Sequence, residues 1–255
     1  MIRATLSEGS QLNASFYAAT RYSPTIVARA LDVVLASGLR PTVAWLYNAR
    51  PEAASPRDLY DGIPSLEKRD FLKKEERDEI GNFVLASCDF VTQKFPLDCE
   101  ARLRSKFHED GTFGISLDFP YSGIFEEADL DSSDLARVSD VIETLGVAIF
   151  ETSPYLYGGV AVEWEAPSLK DLEEGRAVLP TDFGLFSGLV IDLVGREELS
   201  FRLKPAKRSR ELAGGGLYFK WSELWEDSPD SPSAIEFQDF IRSRSPRVST
   251  LRPSG

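Results

Sequence analysis

Apolar positions recur along this chain with two different spacings. In "SPTIVARALDVVLASGLRP" (23–41), Ile26, Val27, Ala30, Leu31, Val34 and Leu35 fall on one face at helical spacing. Ser23 suits the N-cap, Pro24 the first helical position, Gly38 a left-handed stop, and Pro41 forbids continuation. "NASFYAATRY" before it and "TVAWLYNA" after it read as strands, with "MIRATLSE" as hairpin partner of the first. The middle of the chain repeats this order. "CEARLRSKF" and "FGISLDF" alternate around the turn "HEDGT". "DSSDLARVSDVIETLG" predicts a helix with Leu135, Val138, Ile142 and Leu145 inward and Gly146 as its stop. "VAIFET" and "GGVAVEWEA" then read as strands.

The last third is less regular. "SLKDLEEG" predicts a short helix stopped by Gly175, and "SGLVIDLV" and "LSFRLK" read as strands joined by "GREE". "AGGGLYFKW" is a strand behind a glycine hinge. "SPSAIEFQDFIRSR" predicts a helix capped by Ser231 or Ser233, with Ile235, Phe237, Phe240 and Ile241 inward. Between the halves, "PEAASPRDLYDGIPSLEKRD" reads as loop with short helical turns and "FLKKEERDEIGNFVLAS" as a helix that Gly81 weakens by about 1 kcal/mol. The class is α+β, with a largely antiparallel sheet, two β-hairpin–helix–strand units (1–49 and 98–166) and helices packed on one face. Residues 1–241 form one expected domain, and 242–255 a basic, Pro/Ser-rich tail expected to be disordered.

Charge narrows the function classes. The 255 residues carry 41 acids against 29 bases, a net charge of -12. Such a surface repels nucleic acids and anionic membranes and attracts basic partners. No apolar run of 18 residues offers a membrane span, and "MIRATLSEGS" lacks the apolar core of a signal peptide, so cytoplasmic residence is expected. With two cysteines, Cys88 and Cys99, and one histidine, no Cys/His metal cluster is expected. The cysteines read as half-buried thiols, able to pair only if their Cα atoms approach within about 7 Å. His108, in the turn "KFHEDGTF", reads as an exposed imidazole.

Candidate chemistry is sparse. Neither a P-loop nor a G-x-G-x-x-G motif is present, and "TDFG" (181–184) lacks the other parts of a kinase. Glu126, Glu127, Asp129, Asp131 and Asp134 lack the spacing of an EF-hand and suit helix capping and solvation better than a metal. Strand alternation in "GGVAVEWEA" puts Val160, Val162 and Trp164 on one face, and Glu163 and Glu165 on the other, about 7 Å apart. A solvated sheet face is the commoner meaning of that pair; a glycosidase-like pair is the rarer one. Tyr155 and Tyr157, in "SPYLYGG", either pack beneath the strand or stand out as contact residues. The basic stretch "LKPAKRSRE" (203–211) reads as a solvated loop. In "YFKWSELWEDSPD", Trp221 and Trp225 sit among Glu223, Glu226, Asp227 and Asp230. They are either core tryptophans or an aromatic patch rimmed by acids, suited to gripping a basic protein.

The stretches "FYAATRYSPTIVARALDVVLASG", "DGTFGISLDFP", "DFGLFSG" and "GGGLYFKW" follow one another in an order that resembles the α+β immunity proteins of polymorphic toxin systems, including those paired with type VI secretion effectors. The chain departs from that pattern in its polar insert at 50–78 and its basic tail. The resemblance implies a non-enzymatic, cytoplasmic protein that blocks one cognate toxin. Family membership does not identify contact residues; the aromatic and acidic stretches above give the expected contact set as Tyr155, Tyr157, Glu163, Glu165, Trp221, Glu223, Trp225, Glu226 and Asp227, with a basic protein such as a toxin as partner and no cofactor. The alternative is a carboxylate-dependent hydrolase or transferase using Glu163, Glu165 or the acids of 126–134.

Overall fold

The computed structural model describes residues 3–4, 10–47, 66–70, 84–92, 98–126, 128, 130–226 and 231–251. In chain order the elements are β1 (Arg3–Ala4), β2 (Gln11–Tyr17), α1 (Pro24–Ala36), β3 (Arg40–Tyr47), β4 (Leu66–Asp70), β5 (Val84–Thr92), β6 (Asp98–Phe107), β7 (Phe113–Pro120), α2 (Ser132–Thr152), β8 (Tyr157–Val162), α3 (Leu169–Glu173), β9 (Phe183–Phe186), α4 (Gly188–Val194), α5 (Arg196–Arg202), β10 (Arg208–Glu211), β11 (Leu217–Lys220) and α6 (Pro232–Val248). A π-helical turn (Ser122–Glu126) and a 3-10 turn (Ala213–Gly215) complete the order.

The strands form one sheet in the order β10-β11-β9-β8-β2-β7-β6-β5-β3-β4, antiparallel at every step. The α+β class with a largely antiparallel sheet therefore holds. β1 is not the hairpin partner of β2. It runs parallel to the start of β6, with Arg3 opposite Asp98 and Ala4 opposite Cys99. The second unit does form its hairpin, with Phe107 opposite Phe113. Two crossovers interlock around β2. The connection β2–α1–β3 skips β7, β6 and β5, and β7–α2–β8 skips β2. β2 and β7 are antiparallel and their crossovers leave in opposite directions on one face, so the two have the same hand.

The helices divide between both faces of the sheet, instead of sharing one. Leu12, Ala14 and Phe16 of β2, with Leu103, Leu117 and Val160, meet α1 (Ile26, Val27, Ala30, Leu31, Val34) and α2 (Val138, Ile142, Leu145, Ile149). On the opposite face, Tyr17, Tyr157, Phe186 and Phe219 meet α3 to α6 through Leu172, Val190, Ile191, Leu199, Phe237 and Ile241. Period-2 alternation along β2, β8, β9 and β11 supplies both cores.

Several expectations fail, each for a physical reason. "VAIFET" continues α2 to Thr152, because Val138, Ile142, Leu145 and Ile149 keep helical spacing through Gly146. A Cβ at Gly146 would touch the Val160 side chain at 3.7 Å, so the helix lies close on β8 there. "SGLVIDLV" and "LSFRLK" are α4 and α5: Ser187 caps α4, whose buried Val190, Ile191 and Val194 follow the helical, not the strand, period. The β-branched content of α4 mimics a strand. The expected tail is ordered to Val248, since Ser245 accepts from the Leu179 N–H at 3.0 Å, donates to the Ile241 carbonyl at 2.9 Å, and Val248 is buried. Ile235 is 48% exposed, unlike Phe237, Phe240 and Ile241. Leu66–Asp70, the end of the expected loop at 51–70, is strand β4, and Val84–Ser87, expected as helix, belong to β5; 51–65 and 71–83 lie outside the described residues.

Gly158 sits opposite Phe16 in the β2–β8 pair, where a Cβ would overlap the Phe16 ring and lie 2.8 Å from the Ser15 carbonyl oxygen. Gly158→Ala is expected to destabilise the fold by about 1–3 kcal/mol through overpacking, read as a lower urea midpoint at unchanged slope.

Candidate partner-binding site

β11 ends in a lysine that points into the protein. Tyr218 and Lys220 face α2, while Phe219 and Trp221 face α6. The Lys220 side chain is 0% exposed, and its ammonium lies 2.9 Å from Glu143 of α2 and 2.7 Å from Glu223 in the following turn. Both carboxylates hand charge outward. Glu143 pairs with Arg208 of β10 at 3.0 Å, and Arg208 with Asp140 at 3.3 Å. Glu223 pairs with Lys207 at 2.9 Å, and Lys207 with Glu226 at 3.3 Å. Glu226 also accepts from the Glu223 backbone N–H at 2.7 Å, closing the turn. The basic stretch 203–211, expected as a solvated loop, thus supplies β10 and ion-pairs with carboxylates at both ends of this network.

Burial pushes the Glu143 carboxyl up, but the Tyr218 hydroxyl, Lys220 and Arg208 outweigh it and hold the group below its ordinary value. Glu223 behaves likewise, with burial opposed by Lys220 and Lys207. Burial, and then the adjacent Glu143, push the Tyr218 hydroxyl up.

The turn anchored in this way carries Trp225. Its half-buried ring lies 6.5 Å from Phe125 at 20°, and Phe125 lies 5.1 Å from Tyr121. Phe125 belongs to the π-helical turn that leads from β7 toward α2, and the next residue, Glu126, is exposed with no ion pair among the described residues. Trp225, Phe125 and Tyr121 thus make a partly open aromatic row, and the exposed Glu126 follows Phe125 in the chain. Tyr121 and Phe125, four apart in "YSGIFEE", are the signal the sequence reading missed. Lys220, inward by alternation between two aromatics in "LYFKW", is the other.

The remaining expected residues scatter. Trp221 is buried against Phe237 at 5.3 Å. Glu223 is spent on Lys220 and Lys207, Glu226 is exposed at the edge of the network, and Asp227 lies outside the described residues. Tyr155 is 2% exposed, packed on Phe16 and Phe150. Tyr157 is fully buried, stacked on Tyr17 at 5.1 Å and donating to the Pro167 carbonyl at 2.6 Å. Neither tyrosine offers its ring to a partner. β8 ends at Val162, and Glu163 turns the chain with φ 51, so the expected alternation stops before Glu165. Glu163 is exposed; Glu165 pairs with Lys106 and, at 3.6 Å, with Arg104.

His108 is not the exposed imidazole expected. Its ring packs edge-on to Tyr17 at 5.3 Å, its Nε2 is buried without a hydrogen bond among the described residues, and burial pulls its pKa down despite Asp110 and Asp171. Cys88 and Cys99 are both buried, and burial pushes both thiols up. Cys99 stands opposite Thr92, four residues from Cys88, so strand rise separates the two by about 13 Å, too far to pair. In the acidic stretch, Asp131 caps α2 through the Ser133 and Asp134 N–H groups, and Glu127 and Asp129 lie outside the described residues. Among the described residues no group of three or more His, Cys, Asp or Glu side chains is placed to hold a metal ion.

No family model matches the chain, and no curated protein matches it. Among solved structures, the chain is similar to the Pseudomonas aeruginosa T6SS protein PA0821, with 11% sequence identity and a TM-score of 0.48 over 92% of this chain and 72% of that one.

Lys220→Ala leaves Glu143 and Glu223 without their shared cation and is expected to cost about 3–5 kcal/mol, measured by chemical denaturation. Because both carboxylates are held below their ordinary 4.5, their contribution is complete above that pH and is lost as pH falls through their folded-state values. Stability of the parent should therefore drop on acidification below about 4.5, and the drop should be shallower in Lys220→Ala.

Proposed function

We propose that this chain is a non-enzymatic, acidic binding protein of the cytoplasm that neutralises a cognate toxin by gripping a basic surface on it. The partly open Trp225–Phe125–Tyr121 row, followed by Glu126, which has no ion pair among the described residues, is the observation that carries this reading. A half-buried tryptophan in such a row is suited to a cation–π contact with an Arg or Lys side chain, and the exposed Glu126 that follows Phe125 supplies a carboxylate on the same turn. Tryptophan anchors of this kind dominate interface energetics. The net charge of -12 would steer a basic partner toward the chain and speed encounter at low salt. The resemblance to immunity proteins of polymorphic toxin systems agrees with such a role.

The carboxylate-enzyme alternative needs its acids to converge. Glu165 lies against Lys106 and Arg104, on the sheet face opposite α2, whereas Asp131 and Asp134 belong to the start of α2. The sheet stands between the two groups. No helix among the described residues is long and apolar enough to cross a membrane.

The test is co-expression with the products of neighbouring genes, followed by calorimetric titration of any that co-purifies and is toxic alone. Trp225→Ala and Glu126→Lys should each weaken that complex at least about tenfold, a loss of about 1.4 kcal/mol, with circular dichroism unchanged. Affinity should also fall as salt rises. A toxic partner bound equally well by both variants would remove the proposed contact site, and the lack of any toxic, co-purifying neighbour would remove the function.

A further inference from the structure

The outer side of the α1/α2 layer carries a groove of about 850 Å³ on which no other described element sits. Its apolar lining comes from Val33 and Ala36 of α1 and from Ala136 and Val141 of α2. The charged groups along it are Arg137 and Asp140, one helical turn apart on α2. Small side chains on both walls let a third helix approach to the usual 8–10 Å, roughly, between axes.

The charges decide what that helix is. Arg137 is exposed and has no ion pair among the described residues, and Asp140 has only the exposed Arg208 at 3.3 Å. Over most of its surface a chain of net charge -12 repels its own copies. Along this groove one base and one acid balance. The pair is also self-complementary: a two-fold axis passing between the levels of Arg137 and Asp140 sets each Arg137 against Asp140 of a second copy, twice, with the α2 helices antiparallel. Two-fold interfaces require this kind of reciprocity.

We propose that the α1/α2 face is the dimerisation surface of this protein, with a second copy of α2 seated in the groove and two reciprocal Arg137–Asp140 ion pairs across the axis. The surface does not involve Trp225, so the inference does not rest on the toxin-binding reading.

Sedimentation equilibrium at roughly 100 µM, where a micromolar Kd holds most chains paired, should report a dimer for the full chain. Arg137→Asp and Asp140→Arg should each give monomers, since each sets like charges against one another across the axis. Mixed one to one, these variants should form a heterodimer, read by native mass spectrometry, because the charges are again complementary. Ala136→Trp, which fills the groove without altering charge, should be monomeric with an unchanged circular dichroism spectrum. A monomeric parent at that concentration overturns the proposal. So does a dimer that survives the single charge reversals, or a mixture of the two reversed variants that stays monomeric.

Discussion

The buried ammonium of Lys220 is the constraint around which one end of this molecule is organised. A lysine without access to water needs its charge answered by groups brought to it, and two carboxylates from different elements do so at 2.9 and 2.7 Å. Glu143 fixes where α2 crosses the sheet relative to β11, and Glu223 fixes the turn after β11. An arrangement of this kind contributes little net stability compared with an apolar core, yet losing one member costs several kcal/mol because it strands the rest. Its effect is to hold elements in register, and the partly open Trp225 rides on the turn it holds.

Around that anchor the sheet works as a two-sided partition. β2 lies between β7 and β8 and contributes Phe16 to one core and Tyr17 to the other. The two crossovers place α1 and α2 together on one side, while α3 to α6 cover the other side near β9 and β11. The partition has a functional consequence. It separates Glu165 from the acids at the start of α2, and leaves the outer face of the α1/α2 pair without a further described helix against it.

How much of this was legible depended on whether the deciding contact was local. α1 was readable because Ser23, Pro24 and Gly38 mark its ends and its apolar face is continuous. The β6–β7 hairpin was readable from alternation around a glycine turn. α3 was readable from Gly175 as its stop, and the structure adds a capping box between Ser168 and Asp171. α4 was misread because its valines and isoleucine carry strand propensity, while burial against α6 favours a helix. α2 was cut short at Gly146, a residue that disfavours a helix locally but lets this one lie close to β8. Of the expected contact residues, Glu163, Glu165, Trp225 and Glu226 reach the surface, while Tyr155, Tyr157 and Trp221 fill cores that no local pattern reveals.

By itself the sequence determined the class, the acidic character, the hairpin and the capped helices, because each follows from neighbours within a few positions. Only the tertiary structure decided that Lys220 is enclosed by carboxylates, one of them 77 positions away in the chain, that His108 is packed on Tyr17, and that Trp225 shares a row with Phe125. The reason is physical: whether a side chain is buried, paired or offered to a partner depends on residues that strand pairing and crossovers bring to it, and chain separation does not encode that distance.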